Sequence, residues 1–95
     1  MFKAEYNRDI QTVFLSGNFD ASKAEEAKAV FDLVEHTVRV DMSHLDFICS
    51  AGIGLMVMVY RKLKERGEEF YLVNLNDHIS KVFKLSLLDK VFKIQ

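Results

Sequence analysis

The chain is expected to fold as one α/β domain, a mixed β-sheet with helices packed on it, in the order β-β-α-β-α-β-α-β. Five short runs rich in β-branched and aromatic residues are interleaved with three stretches of helical period. The first two strand-like runs meet across a polar turn, whereas every later pair is separated by a helix. One hairpin therefore precedes parallel strands joined by right-handed crossovers. With no proline, linker, repeat or low-complexity tract in 95 residues, the sequence reads as a single domain spanning 1–95.

Residues 2–6 read as the first strand and Asn7-Arg8-Asp9 as its turn. Residues 11–17, ended by Gly17, are the second strand. Ser22 followed by Glu25 has capping-box spacing, and Ala24, Ala27, Val30 or Phe31, and Val34 recur at helical period as far as Leu33 or Glu35. Lys23, Glu26, Lys28 and Asp32 form the outer face of that helix. The third strand covers residues 37–42, and a short loop joins it to the longest helix, residues 50–66. Gly67 stands just past the end of this helix, with Lys62, Lys64 and Arg66 in its last turns. Residues 69–75 form the next strand. Asn76 or Asp77 caps the third helix, whose inward stripe is Ile79, Val82, Phe83 and Ser86 or Leu87. Asp89 and Lys90 turn the chain into a last strand at 91–94.

Composition narrows the function. Hydrophobic residues make up 49% of the chain, which is globular rather than disordered. Thirteen basic against fourteen acidic residues give no bulk attraction to nucleic acid. One cysteine excludes an internal disulfide and fits a reducing, cytoplasmic setting. No apolar run is long enough for membrane insertion, and the N-terminus lacks a signal-peptide core.

The informative stretch is Asp41-Met-Ser-His-Leu-Asp-Phe-Ile-Cys-Ser-Ala-Gly-Ile-Gly54. Ser50 falls where the N-cap of the longest helix is expected, and Ala51, Gly52 and Gly54 leave little side chain around its hydroxyl. A phosphate added there would meet free N–H groups and the positive end of the helix dipole. From Ile53 to Tyr60 the helix is apolar on every side, more than covering one sheet face requires. Part of that surface, next to Ser50, is expected to receive a protein partner. Met56, Met58 and Lys62 are the candidate contacts, since methionine repacks easily.

Other chemistries are poorly served. Cys49, before a helix, is in a place that favours a thiolate, but His36, His44 and His78 are not spaced to form a pair with it. The histidines match no zinc signature, so no metal is expected. Gly17, Gly52, Gly54 and Gly67 form no phosphate-binding loop, and no cofactor is implied. The protein is not expected to be an enzyme.

The element order, together with Asp41-Met-Ser43 and Ile48-Cys-Ser-Ala-Gly52-Ile-Gly54, resembles the STAS domain, named for sulphate transporters and anti-sigma factor antagonists. Gly17-Asn-Phe-Asp20 and the segment from Ser80 to Phe92 are similar to further parts of that family's pattern. The size resembles a free-standing bacterial anti-sigma factor antagonist. That resemblance implies a partner switch in transcription regulation. An anti-sigma factor serine kinase of GHKL-type ATPase fold binds either its sigma factor or the antagonist. It phosphorylates the antagonist's serine, here Ser50, and a serine phosphatase resets it. Asp20, Asp41 and Ser43 match the loop and its acidic surroundings, with Gly52 and Gly54 allowing close approach. The family's phosphorylated members usually carry aspartate before the serine, where this chain has Cys49. A different role resembles the same domain: a small, unphosphorylated subunit docking on the ATPase of an ABC lipid-transport system.

Overall fold

A computed structural model describes all residues, Met1–Gln95. The strands are β1 (Lys3–Asn7), β2 (Thr12–Phe19), β3 (Val38–Ile48), β4 (Phe70–Val73) and β5 (Lys93–Ile94), and the helices are α1 (Ala24–Phe31), α2 (Ser50–Glu65) and α3 (Asp77–Leu85). The sheet runs in chain order, β1-β2-β3-β4-β5. β1 pairs antiparallel with β2, and the remaining pairs are parallel. The expected order and mixed sheet are both present.

One face of the sheet is the core. Val13, Leu15, Val38, Val40, Met42, Phe70 and Leu72 point into it and meet Ala27, Phe31, Met56, Leu63, Ile79 and Phe83 from the three helices. Their alternates Phe14, Arg39 and Lys93 are exposed on the other face. Glycine is required at Gly17, where φ is +80° and a Cβ would sit 1.7 Å from the Met1 carbonyl oxygen.

Several local expectations are corrected. The Ser22–Glu25 capping box does not form. A 3-10 turn at Ala21–Lys23 precedes α1, and Asp20 caps it by accepting from the Ser22 N–H. α1 stops at Phe31, short of Leu33, because the Leu33 and Val34 N–H groups already bond three residues back, to Val30 and Phe31. β3 is the largest departure. It continues through residues 43–48, read from sequence as loop, and places His44 on a strand. This half pairs with Ser16 to Phe19 of β2, with two register shifts. Those irregularities break the alternation that marks a strand, giving two successive exposed pairs, Ser43-His44 and Asp46-Phe47.

Helix ends follow local chemistry. The Asn76 side chain accepts from the Ile79 N–H at 2.9 Å and caps α3. Gly67 closes α2 with φ +74°, and the Glu68 N–H reaches back to the Leu63 carbonyl at 2.8 Å.

Candidate functional site

The site forms where β2 and β3 end side by side. Phe19 pairs with Ile48, so Asp20 and Cys49 leave the sheet together and each enters a helical turn. The Cys49 N–H remains pinned to the Phe19 carbonyl at 2.9 Å, while the Cys49 carbonyl already accepts from the Ile53 N–H at 3.0 Å. Cys49 is thus the N-cap of α2, in extended conformation, and its thiol makes no capping hydrogen bond. Ser50, expected as the cap, is the first helical residue: the sheet pairing ends at Cys49, which takes the extended cap position, and α2 begins one residue earlier than the sequence suggests. The Ser50 side chain is exposed. Ile53 is the first residue whose N–H enters the helical ladder, so the N–H groups of Ser50, Ala51 and Gly52 lie outside it.

Gly52 is buried against the end of the sheet, and a Cβ there would lie 2.8 Å from Ile48 Cγ1 and 3.2 Å from Phe19 Cγ. Gly54 differs: a Cβ there would meet nothing within 4 Å. It faces outward, and its effect is to leave space beside α2.

That space is a groove between α1 and α2. Ala24, Glu25, Lys28, Ala51, Gly54, Leu55 and Met58 line an open depression of about 330 Å³, starting one residue beyond Ser50. A second, of about 160 Å³, continues past Phe31, Val59 and Lys62. The candidate contacts on α2 therefore divide. Met58, 60% exposed, stands on the groove. Met56 is 0% exposed and cannot meet a partner, since it lies on the side of α2 that faces the sheet. Lys62 lines the groove, but its ammonium donates to the Val34 carbonyl at 2.6 Å and fastens α2 to the segment after α1. The contribution of α1 was missed in the sequence; the small residue Ala24 beside Lys28 was its only signal.

Asp20 stands at this end of the molecule. Hydrogen bonds from the Ser22 hydroxyl, foremost, and the Ser22 N–H hold its carboxyl below the ordinary range. Asp41 and Ser43 do not border Ser50. Asp41 pairs with Phe14, five residues before Phe19 on β2, about 16 Å back along the sheet. There it accepts from the Ser43 N–H at 2.9 Å, the Ser43 hydroxyl at 2.7 Å and the Asn74 amide at 2.8 Å. Burial pushes this carboxyl up, but the three hydrogen bonds outweigh it and the net direction is down. Asp41 therefore holds the β3 irregularity to the end of β4. A group with a lowered folded-state pKa stabilises above its unfolded value and loses that contribution as pH falls through the folded value. Asp41→Ala is expected to cost about 1 kcal/mol at neutral pH. The gap to wild type should close below about pH 4, as denaturation at several pH values would show.

The vacant cap also makes a prediction. Aspartate is among the best N-cap residues and suits the positive end of a helix, so Cys49→Asp is expected to stabilise the fold by about 1 kcal/mol. Thermal unfolding under reducing conditions checks this.

No cluster of three His, Cys, Asp or Glu side chains able to hold a metal ion is present, and no helix is long and apolar enough to cross a membrane.

Comparison with known proteins agrees with this architecture. The STAS domain profile matches residues 1–95. The anti-sigma-B factor antagonist of Listeria monocytogenes is 28% identical over 95 residues, covering 96% of this chain and 83% of that protein. The anti-sigma F factor antagonist of Paenibacillus polymyxa is 25% identical over 96 residues, covering 95% and 81%. Among solved structures, an anti-sigma factor antagonist from Mycobacterium paratuberculosis superposes with a TM-score of 0.82 at 22% identity, over 99% of this chain and 83% of that one. The phosphorylated form of the Bacillus cell fate determinant SpoIIAA gives a TM-score of 0.72 at 24% identity, over 100% and 91%. With its whole length matched and its fold shared, the chain belongs to the STAS domain family.

Proposed function

We propose that this protein is an anti-sigma factor antagonist that captures an anti-sigma factor serine kinase of GHKL-type ATPase fold and is released by phosphorylation at Ser50, a serine phosphatase restoring the binding form. The observation that carries this reading is the position of Ser50. Its hydroxyl is exposed on the first residue of α2, beside N–H groups outside the helical ladder and at the head of an apolar groove. A phosphate there is favoured by the helix dipole, so the domain need not refold. The same phosphate brings roughly −1.5 to −2 charges to the rim of the groove, where a partner's apolar side chains would seat. The names of the relatives support the role of antagonist, and the phosphorylated SpoIIAA supports the chemistry. Cys49 bears on rate: without a carboxylate at the cap, transfer to Ser50 is expected to be slower than in Cys49→Asp.

The test is capture from native lysate of the source cell. Wild type should retain a GHKL-type ATPase that Ser50→Asp does not. Equal retention of one ATPase by both forms would overturn Ser50 as the control point and favour constitutive docking.

A further inference from the structure

The sheet has two edges, and β1 is the longer, with five residues against two in β5. β1 pairs only with β2, and no other backbone bond reaches residues 1–7. Alternate N–H and C=O groups along its outer side are therefore open, a template for a further strand. Beneath this edge Ala4, Tyr6 and Val30 are only half-buried on the core, and Leu33 is 54% exposed. On the open face of the sheet, Lys3 and Glu5 are exposed and pair with each other at 2.7 Å.

The order of these side chains selects the strand that fits. Two β1 strands pairing antiparallel about a two-fold axis perpendicular to the sheet set one residue against its own copy. With Lys3 or Glu5 on the axis, like charges meet. With Tyr6 there, only residues 5–7 overlap and no charges pair. With Ala4 there, Lys3 lies opposite Glu5 at both ends, Phe2 lies opposite Tyr6, and the self-contact falls on the smallest side chain of the strand. Like charges then stand only on the longer diagonals, and the β2 neighbours of Lys3 and Glu5, Ser16 and Phe14, are uncharged. The other charges at this edge are two of each sign: Lys23 and Glu26, which share the Val30 side of α1 by helical spacing, and Arg8 and Asp9 in the hairpin turn. A lysine in an edge strand ordinarily repels strands of any origin; the Lys3-Ala-Glu5 order instead favours its own copy.

We propose that a second copy of this chain adds here, β1 against β1 with Ala4 on the two-fold axis, so that the two sheets run on as one. The second copy covers Ala4, Tyr6 and Val30. The groove between α1 and α2 lies on the other side of α1, so Ser50 and its surroundings stay open in both copies. The contact is short, and its dissociation constant is expected on the order of 100 μM.

Sedimentation equilibrium up to millimolar concentration tests this. Wild type should approach twice the monomer mass and no more, and Ser50→Asp should behave identically. Lys3→Glu and Glu5→Lys each set like charges opposite one another twice, and each should weaken association about tenfold. Mixing these two variants should restore it, as should combining both substitutions in one chain, which exchanges the charges and keeps the register. All the substituted side chains are exposed, so melting temperatures should stay near that of wild type. A wild type that stays monomeric, a mass that climbs beyond the dimer, association that the single variants leave unchanged, or a failure of the exchanged chain to recover it would overturn the proposal.

Discussion

Phe19→Ala is expected to remove about 3–5 kcal/mol of stability, a large share of the roughly 5–14 kcal/mol available to a chain of 95 residues. Phe19 is fully buried at the end of β2, with its ring 4.7 Å from that of Phe2, centroid to centroid. The same ring closes over Gly52. Deleting it leaves a cavity under the first turn of α2. The backbone bond from the Cys49 N–H to the Phe19 carbonyl survives the change but loses the packing that fixes it. A fall in melting temperature of about 15 °C or more follows, measurable by thermal and urea unfolding. A loss below about 1 kcal/mol would mean that the site end of the molecule is not part of the cooperative core. The prediction separates fold from site, since Phe19 never reaches the surface.

Ser50→Asp is expected to weaken capture of the anti-sigma partner by about 100-fold, because a desolvated, unpaired charge at an interface costs several kcal/mol. The folded state should change little, since a carboxylate in the first turn of a helix is well tolerated. Ser50→Ala should retain the partner as tightly as wild type and resist release by ATP. Met58→Lys, on the groove and 60% exposed, should weaken binding without loss of melting temperature. Calorimetric titration of the isolated partner against these variants distinguishes a lost contact from a lost fold.

Much of this arrangement was legible in residue types. β-branched runs marked the strands, and Asn76 and Gly67 marked helix ends through side-chain and backbone chemistry that acts locally. The element order followed, because single helices between strands leave few topologies open. What escaped the sequence was set by tertiary context. β3 is long because β2 pairs with residues 43–48 across two irregularities, and these erase the alternation a reader looks for. The same pairing ends at Cys49, which takes the cap position, and α2 starts on Ser50 itself, one position before the sequence places it. It also separates Asp41 from Ser50, although they belong to one motif. Met56 and Met58, two residues apart on an all-apolar helix, look alike in sequence. Only the packing of α2 between the sheet and α1 sends one inward and leaves the other on the groove.

The most direct test of the switch is to incubate the protein with its captured ATPase and magnesium ATP, then locate any phosphate by mass spectrometry while following release of the complex. The account predicts one phosphate, on Ser50, appearing in step with dissociation and absent in Ser50→Ala. Dissociation without phosphate, or phosphate confined to another residue such as Ser43, would contradict it.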